Sequence, residues 1–364
     1  MLGAKYLIPV FLLLSLISSR AFDWQIQRYQ GRDYVPLSNV AEFYSFPKDA
    51  ANSGEALIYK NGSMSLEFTR DSREVTINGV KHWMSFPIAE LNGHWFASRM
   101  DVSKTIDPAL LPQTVKGFHP VNTVVIDAGH GGQDKGADGR VANEKDFTLD
   151  VARRLRNQLQ KAGLRVIMTR NQDITVPLEN RAKIANAQLN SIFVSIHFNA
   201  APTGDAKGFE IFCVTPRGSP STEYEQLTVR DMIAENGNQS EMQSFALANT
   251  IYHSMQGNLN MTDRGVKRAR FAVLRLTDTP AVLVEGGFLS SPYDLRNVAS
   301  RDWREKYATS IATGILAYKA LCEKGIPPKT VAQYRQPPPA PAAPVPSVTP
   351  AVAADLKDVP IKSN

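Results

Sequence analysis

The sequence predicts an α/β protein: a mainly parallel sheet of about six strands with helices on both faces, preceded by a small β-rich domain. Three observations carry this reading. From about residue 121 to residue 325, short apolar runs alternate with amphipathic helical patterns. Such alternation implies right-handed crossovers and a sheet covered on both sides. Between residues 22 and 112 the pattern is instead one of short strands, punctuated by Asn61-Gly62 and Asn78-Gly79, which are two-residue hairpin signals. From residue 336 to residue 364 the chain turns rich in proline and alanine, a composition that predicts an extended, disordered tail.

Residues 1–21 carry Lys5, an apolar core over 6–17 and Ser19-Arg20-Ala21, a small-x-Ala site. This reads as a cleaved secretory signal peptide. Its apolar run is short of the roughly 20 residues a membrane span needs, so no stable span is expected after cleavage; an uncleaved anchor is the alternative. In the β-rich domain, strands are expected over 56–60, 63–69, 74–77 and 80–85. Gly31 to Val40 echoes Gly93 to Val102 without gaps, each half a strand feeding a short helix. Trp83, Trp95 and Phe96 read either as core or as a face for stacking on sugars. In the larger domain, strands are expected over 124–127, 165–169, 192–196, 209–214, 271–276 and 281–285. Helices are expected over 147–162, 177–188, about 244–255 and 303–323. Leu149, Val151, Leu155 and Leu159 form the buried stripe of the first. The stretch is long enough to bury a sizeable core.

The net charge of +6 falls to +4 when Lys5 and Arg20 leave with the signal segment. No dense Lys/Arg run interleaved with aromatics is present, so nucleic acid is not an expected partner. Cys213 and Cys322 are the only cysteines. They could pair in an oxidising compartment or remain inert thiols, and neither is spaced as a metal ligand.

The chemistry concentrates at strand ends. The run Val124-Val125-Ile126-Asp127 delivers His130 into a glycine-wrapped loop, Glu144 follows, and Ser195-Ile196-His197 ends a second run. Val282-Leu283-Val284-Glu285 ends a third. In open α/β sheets ligands bind at the carboxyl ends of the strands. His130, Glu144 and His197 make a His₂Glu donor set, which suits a catalytic zinc with its fourth position open to water. Glu285 is then the general acid/base, and Asp127 a candidate to hold the His130 ring by its other nitrogen. Taken singly, each has an ordinary alternative: a local hydrogen bond for either histidine, a helix N-terminal charge for Glu144, an arginine-neutralised carboxylate for Glu285. A nucleotide-binding reading of Gly129, Gly131 and Gly132 fails, because Asp134 stands where the fingerprint needs a third glycine and no phosphate-binding G-x-x-x-x-G-K-[ST] occurs.

From Val124 to about Cys322 the chain resembles the zinc-dependent N-acetylmuramoyl-L-alanine amidases that cut peptidoglycan. The residues that carry the resemblance are Asp127-Ala128-Gly129-His130-Gly131-Gly132, Asp134, Gly136-Ala137 and Asn143-Glu144-Lys145-Asp146. They continue through Met168-Thr169-Arg170, Asp173, Leu178-Glu179-Asn180-Arg181 and Ala185-Asn186. Ser195-Ile196-His197-Phe198-Asn199, Gly208-Phe209-Glu210-Ile211, Phe271-Ala272-Val273-Leu274 and Leu283-Val284-Glu285-Gly286-Gly287-Phe288 complete them. The resemblance implies Zn²⁺ on His130, Glu144 and His197, Glu285 as the catalytic carboxylate, and peptidoglycan as the substrate. Asn199 and Arg181 lie in matched motifs without a separable role, Arg181 reading as an internal ion-pair partner. The segment 22–112 resembles, with little specificity, the β-rich domain at the N-terminus of copper amine oxidases. His82 and His94 lack the partners for a copper site.

The chain departs from the compact members of that family by an insertion at about 215–243, which carries Glu223, Glu225, Asp231, Glu235 and Glu241. Some division amidases carry here a helix that blocks the zinc until a partner displaces it. The resemblance therefore raises two expectations, an autoinhibitory plug with a protein activator or a plain surface excursion. The combined reading is a periplasmic or secreted zinc amidase acting in wall remodelling or daughter-cell separation. An exported zinc peptidase acting elsewhere on the stem peptide, or a non-catalytic peptidoglycan-binding protein, are the alternatives.

Overall fold

The structure, a computed structural model, describes residues 22–336 apart from Asp49, Ser63, Gly139 and Arg140. The expected signal segment 1–21 and the tail beyond residue 336 lie outside the described residues. The N-terminal region contributes β1 (Gln27–Tyr29), β2 (Arg32–Pro36), β3 (Ala51–Asn52), β4 (Ala56–Asn61), β5 (Met64–Thr69), β6 (Glu74–Ile77), β7 (Val80–Trp83), β8 (Ala89–Leu91) and β9 (His94–Ser98). The sequence echo has a structural counterpart: β2 feeds the helix Leu37–Phe43, β9 feeds the helix Arg99–Asp101, and the two strands pair antiparallel in a sheet of order β1-β2-β9-β8. Its outer hairpins turn at Gln30-Gly31 and Asn92-Gly93, all four residues with positive φ, as a two-residue hairpin turn demands. Trp95 and Phe96 are buried, which makes both of them core.

The second part contributes β10 (Thr123–Ala128), β11 (Arg165–Met168), β12 (Ser191–Asn199), β13 (Phe209–Val214), β14 (Asp263–Ala269) and β15 (Ala281–Phe288). Their order is β11-β10-β12-β15-β13-β14, parallel throughout except where β13 lies antiparallel to β15. The helices Glu144–Lys161, Glu241–Asn258 and Arg301–Lys324 cover one face with an apolar cluster that includes Leu155, Ile251 and Ile311. The helix Leu178–Asn186 and the short helix Ala272–Arg275 cover part of the other, where Val125, Phe193, Phe212 and Leu283 meet Ala185 and Leu274.

One expected strand is corrected. Residues 271–276 are not a strand; Ala272–Arg275 is a helical turn, and the strand is Asp263–Ala269. Its sequence, Asp263-Arg264-Gly265-Val266-Lys267-Arg268-Ala269, shows no apolar period because two of its cations, Lys267 and Arg268, are buried, the third, Arg264, is half-buried, and all three are paired or hydrogen-bonded in place. Lys267 and Arg264 both pair with Glu210, while Arg268 donates to the carbonyls of Val214 and Lys104 and lies over the Phe245 ring.

The β-rich region continues the same sheet. β7 pairs with β14 in parallel at Val266 and His82, so the meander β3 to β7 extends the order to eleven strands. His82 sits fully buried at this junction, Nδ1 on the Val80 carbonyl at 2.9 Å and Nε2 2.6 Å from the Asn249 amide on the helix Glu241–Asn258. Burial pushes its pKa down to about 4. A neutral ring has one N–H and so donates to only one of the two oxygens it faces, the Val80 carbonyl or Asn249 Oδ1. A depressed folded pKa stabilises the fold fully above the unfolded value near 6.5, and that contribution is lost as pH falls through about 4. We therefore expect stability to drop by on the order of 3 kcal/mol between about pH 6.5 and 4. Urea unfolding of wild type beside His82→Gln should show this extra acid sensitivity in the wild type alone.

Candidate metal centre

Three strand ends and one helix start build the site. β10 ends at Ala128, and the chain then turns sharply: His130 has φ +59°, a left-handed conformation rare for a residue with a side chain. Two buried arginines hold this turn. Arg170 donates to the carbonyls of Ala128 and Gly129, at 2.9 and 2.8 Å, and Arg181 donates to those of Ala128 and His130, both at 2.8 Å. Gly129 is required, because a Cβ there would run into the His197 ring. The strain at His130 is thus sustained by its surroundings, as strained backbone at functional sites must be.

Glu144 is the first residue of the helix Glu144–Lys161 and is buried. Its carboxylate accepts from the amides of Ala137 (2.9 Å) and Phe198 (3.0 Å) and lies 3.0 Å from His130 Nε2 and 2.9 Å from His197 Nδ1. One ligand atom from each of the three residues falls within 4.8 Å of the others. Burial alone would raise the Glu144 pKa, but the two imidazoles outweigh it and hold the carboxylate far below its ordinary range. Burial would likewise lower His130, yet Glu144 and then Asp134 hold it above its ordinary value. Asp134 takes Nδ1 of His130 at 2.9 Å, which leaves Nε2 to face Glu144. The donors suit a divalent metal of the zinc type, and the polar atoms around them fix the tautomer such a ligand needs.

Glu285 lies on β15 in register with His197 on β12 and with Glu210 on β13. It is buried, and its Oε2 has no hydrogen-bond partner among the described residues. Burial first, then the charges of Glu144 and Glu210, push its pKa well above the ordinary carboxylate value; Lys267 opposes them. Glu210 is itself consumed by Arg264 (2.7 Å), Lys267 (2.6 Å) and the side-chain amide of Asn199 (2.9 Å).

The structure thus brings His130, Glu144 and His197 together with Glu285 beside them, and it corrects two other expectations. Asp127 does not hold His130. The chain leaves the strand at Gly129 and turns at His130, so Asp127 remains beneath the loop with Arg181 (2.7 Å), Thr169 (2.6 Å) and Ser195 (2.7 Å). Asp134 has the role instead, and its spacing of four residues from His130 is the signal that could have found it. We expect Asp134→Ala to weaken zinc binding about 10–100-fold, measured by competition with a chelating dye. The second correction concerns 215–243, which does not cover the site. β13 runs antiparallel to β15, so the segment leaves the sheet at the end opposite Glu285. Three of its five carboxylates are taken elsewhere, Asp231 by Arg270, Glu235 by Arg275 and Glu241 by Lys104, and Glu223 and Glu225 are exposed. Arg73 of the meander donates to the Tyr224 carbonyl at 2.8 Å, so the segment straps the two parts of the chain together. Among the described residues, 215–243 therefore gives a displacing activator no plug to remove. Glu210 and Lys267 were given no role from sequence, although a lone Glu inside Phe209-Glu210-Ile211 marks a buried, paired carboxylate. Both cysteines are free, Cys213 buried and Cys322 half-buried.

Two imidazoles and a carboxylate converging at the ends of parallel strands, beside a buried carboxyl whose Oε2 has no partner among the described residues, are the equipment of a metal-assisted hydrolase. The family is defined by comparison: residues 124–317 match the family described as N-acetylmuramoyl-L-alanine amidase, and the chain belongs to it. It is 34% identical over 244 residues to the N-acetylmuramoyl-L-alanine amidase AmiC of Escherichia coli O6:H1, covering 60% of this chain and 58% of that one. It is 30% identical over 217 residues to AmiA of E. coli K12, covering 54% of this chain and 75% of the relative. Among solved structures, the amidase AmiC2 of Nostoc punctiforme shares 32% identity, with 56% of this chain and 98% of that one covered and a TM-score of 0.45. The chain spans little more than half the length of the AmiC relatives, 58% for E. coli and 53% for Neisseria meningitidis.

Proposed function

We propose that this protein is a zinc-dependent hydrolase that cleaves the amide between N-acetylmuramic acid and L-alanine in peptidoglycan. The convergence of His130, Glu144 and His197 beside Glu285 is the observation that carries the reading. His130, Glu144 and His197 would hold the zinc. When bound, it lowers the pKa of water to about 7 and polarises the scissile carbonyl. Glu285 takes the proton from the attacking water and passes it to the leaving nitrogen, and burial suits it to both steps because it raises its proton affinity. Asp134 and the Ala137 and Phe198 amides keep the ligands oriented, and Arg170 and Arg181 keep the His130 loop in place. The segment 1–21 is proposed as the export signal and 22–112 as an accessory region, which places the enzyme in the periplasm or outside the cell, in wall remodelling or daughter-cell separation. No described helix is long and apolar enough to cross a membrane.

Digestion of purified peptidoglycan by the mature chain, read by mass spectrometry, tests this. The expected products are intact stem peptides with a free N-terminal L-alanine. Shortened stems still attached to glycan would replace the amidase reading with that of an exported zinc peptidase, and binding without release would leave a wall-binding protein.

A further inference from the structure

Two cations stand near the catalytic carboxyl and have no part in the mechanism above. β13 runs antiparallel to β15, so Lys207, just before β13, lies at the end of the sheet to which β15 brings Glu285 and Phe288. β14 is parallel to β13 and starts at the same end, which places Arg264 there too. The Arg264 guanidinium lies over the Phe288 ring at 4.7 Å, and the Lys207 ammonium lies 5.9 Å from the centre of the Tyr293 ring. Asp294 ties the two positions together: its Oδ2 accepts from the amides of Gly208, at 2.7 Å, and Phe288, at 3.0 Å.

Both cations have capacity to spare. Arg264 gives Glu210 only its Nε, at 2.7 Å, and Glu210 is shared with Lys267 and Asn199. The terminal nitrogens of Arg264 have no hydrogen-bond partner among the described residues, and its side chain is 32% exposed. The Trp83 indole N–H holds the Arg264 carbonyl at 3.2 Å, which fixes the backbone from which that side chain starts. Lys207 is exposed and pairs with no carboxylate among the described residues. Asp294 takes neither cation, since its Oδ1 also has no partner among them.

We propose that Arg264 and Lys207 bind a carboxylate on the peptide half of the substrate, and so favour stems whose second residue is acidic. The proposal rests on the amidase reading for its substrate. A guanidinium with its terminal nitrogens open is shaped for a carboxylate, which it can take in two parallel hydrogen bonds. The sugar half cannot supply that group, because the carboxyl of its lactyl arm is tied up in the scissile amide. Distance names the residue. β14 lies two inter-strand spacings from β15, about 10 Å, and the Arg264 side chain leans back over Glu210 and Phe288. An extended peptide advances about 3.5 Å per residue, so the group within reach is on the residue after L-alanine.

The test uses the full mature chain carrying Glu285→Gln, with affinity for N-acetylmuramoyl-L-alanyl-D-glutamate and for its diamide measured by calorimetry. The diacid should bind about tenfold more tightly, and adding Arg264→Gln should bring the two affinities together. An Arg264 that merely supports Glu210 would weaken both ligands alike and leave their ratio standing. Lys207→Gln, at an exposed position, should reduce the ratio about threefold, so a folding defect in the first variant does not decide the matter. Equal affinity for the two ligands would overturn the proposal, as would a ratio that survives Arg264→Gln. A ratio untouched by Lys207→Gln, where Arg264→Gln does not fold, would overturn it as well. Release of stem peptides by the wild type beside any of these results would overturn this site alone. An Arg264-dependent ratio without release would uphold the site and remove the amidase.

Discussion

Glu285→Gln is expected to lower the rate of amide cleavage about 10³-fold while leaving fold and zinc content unchanged. The side chains have the same shape, so the substitution removes the proton-accepting function and little else. The Glu285 carboxyl is buried with an unpartnered oxygen, and the negative charges of Glu144 and Glu210 add to the effect of burial in raising its proton affinity. An ordinary solvated carboxylate is a weak base toward water and loses any proton it gains to solvent before it can deliver it to a leaving amine. Glu285 avoids both faults by being buried, its Oε2 without a partner among the described residues and Lys267 kept on Glu210 instead. The measurement is initial-rate release of stem peptides from peptidoglycan, with zinc quantified in the same samples. A variant retaining more than a tenth of wild-type activity would assign the proton transfer to another group.

The largest effect on stability is expected at the ion pair Asp127–Arg181. Both side chains are almost fully buried, 1% and 4% exposed, and meet at 2.7 Å. Asp127 is further satisfied by Thr169 and Ser195, and Arg181 by three backbone carbonyls. Removing one partner strands a charge in the interior, which costs about 3–5 kcal/mol, whereas removing both costs less than the sum. Arg181→Leu should therefore lower the urea midpoint strongly, and Asp127→Asn combined with Arg181→Leu should recover part of the loss. Because Arg181 also holds the His130 carbonyl, the single variant should bind zinc more weakly than wild type even where it remains folded. Additive losses would mean that the pair is not coupled.

The parts of the fold legible in the sequence are those whose signals are local. Val124 to Asp127 and Val282 to Glu285 read as strands because buried parallel strands are continuous apolar runs, and the residues just past their ends are where chemistry is placed. The parts that were not legible depend on partners distant in sequence. β14 hides its period because Lys267 and Arg264 are neutralised by Glu210, more than fifty residues earlier. The role of Asp134 was hidden by Asp127, which is nearer to His130 in sequence but held below the loop by Arg181. The union of the meander with the large sheet rests on a strand pairing between His82 and Val266, which no local pattern announces. The path of 215–243 was fixed by strand direction: only the antiparallel placement of β13 sends it away from the site.

Zinc titration of chelator-stripped protein tests the central claim most directly. Activity on peptidoglycan should be absent after stripping, rise linearly with added zinc, and reach its plateau at one equivalent per chain, while His197→Ala shows no such rise. Full activity in the stripped protein, or a plateau unaffected by His197→Ala, would contradict a reaction that depends on a metal held by His130, Glu144 and His197.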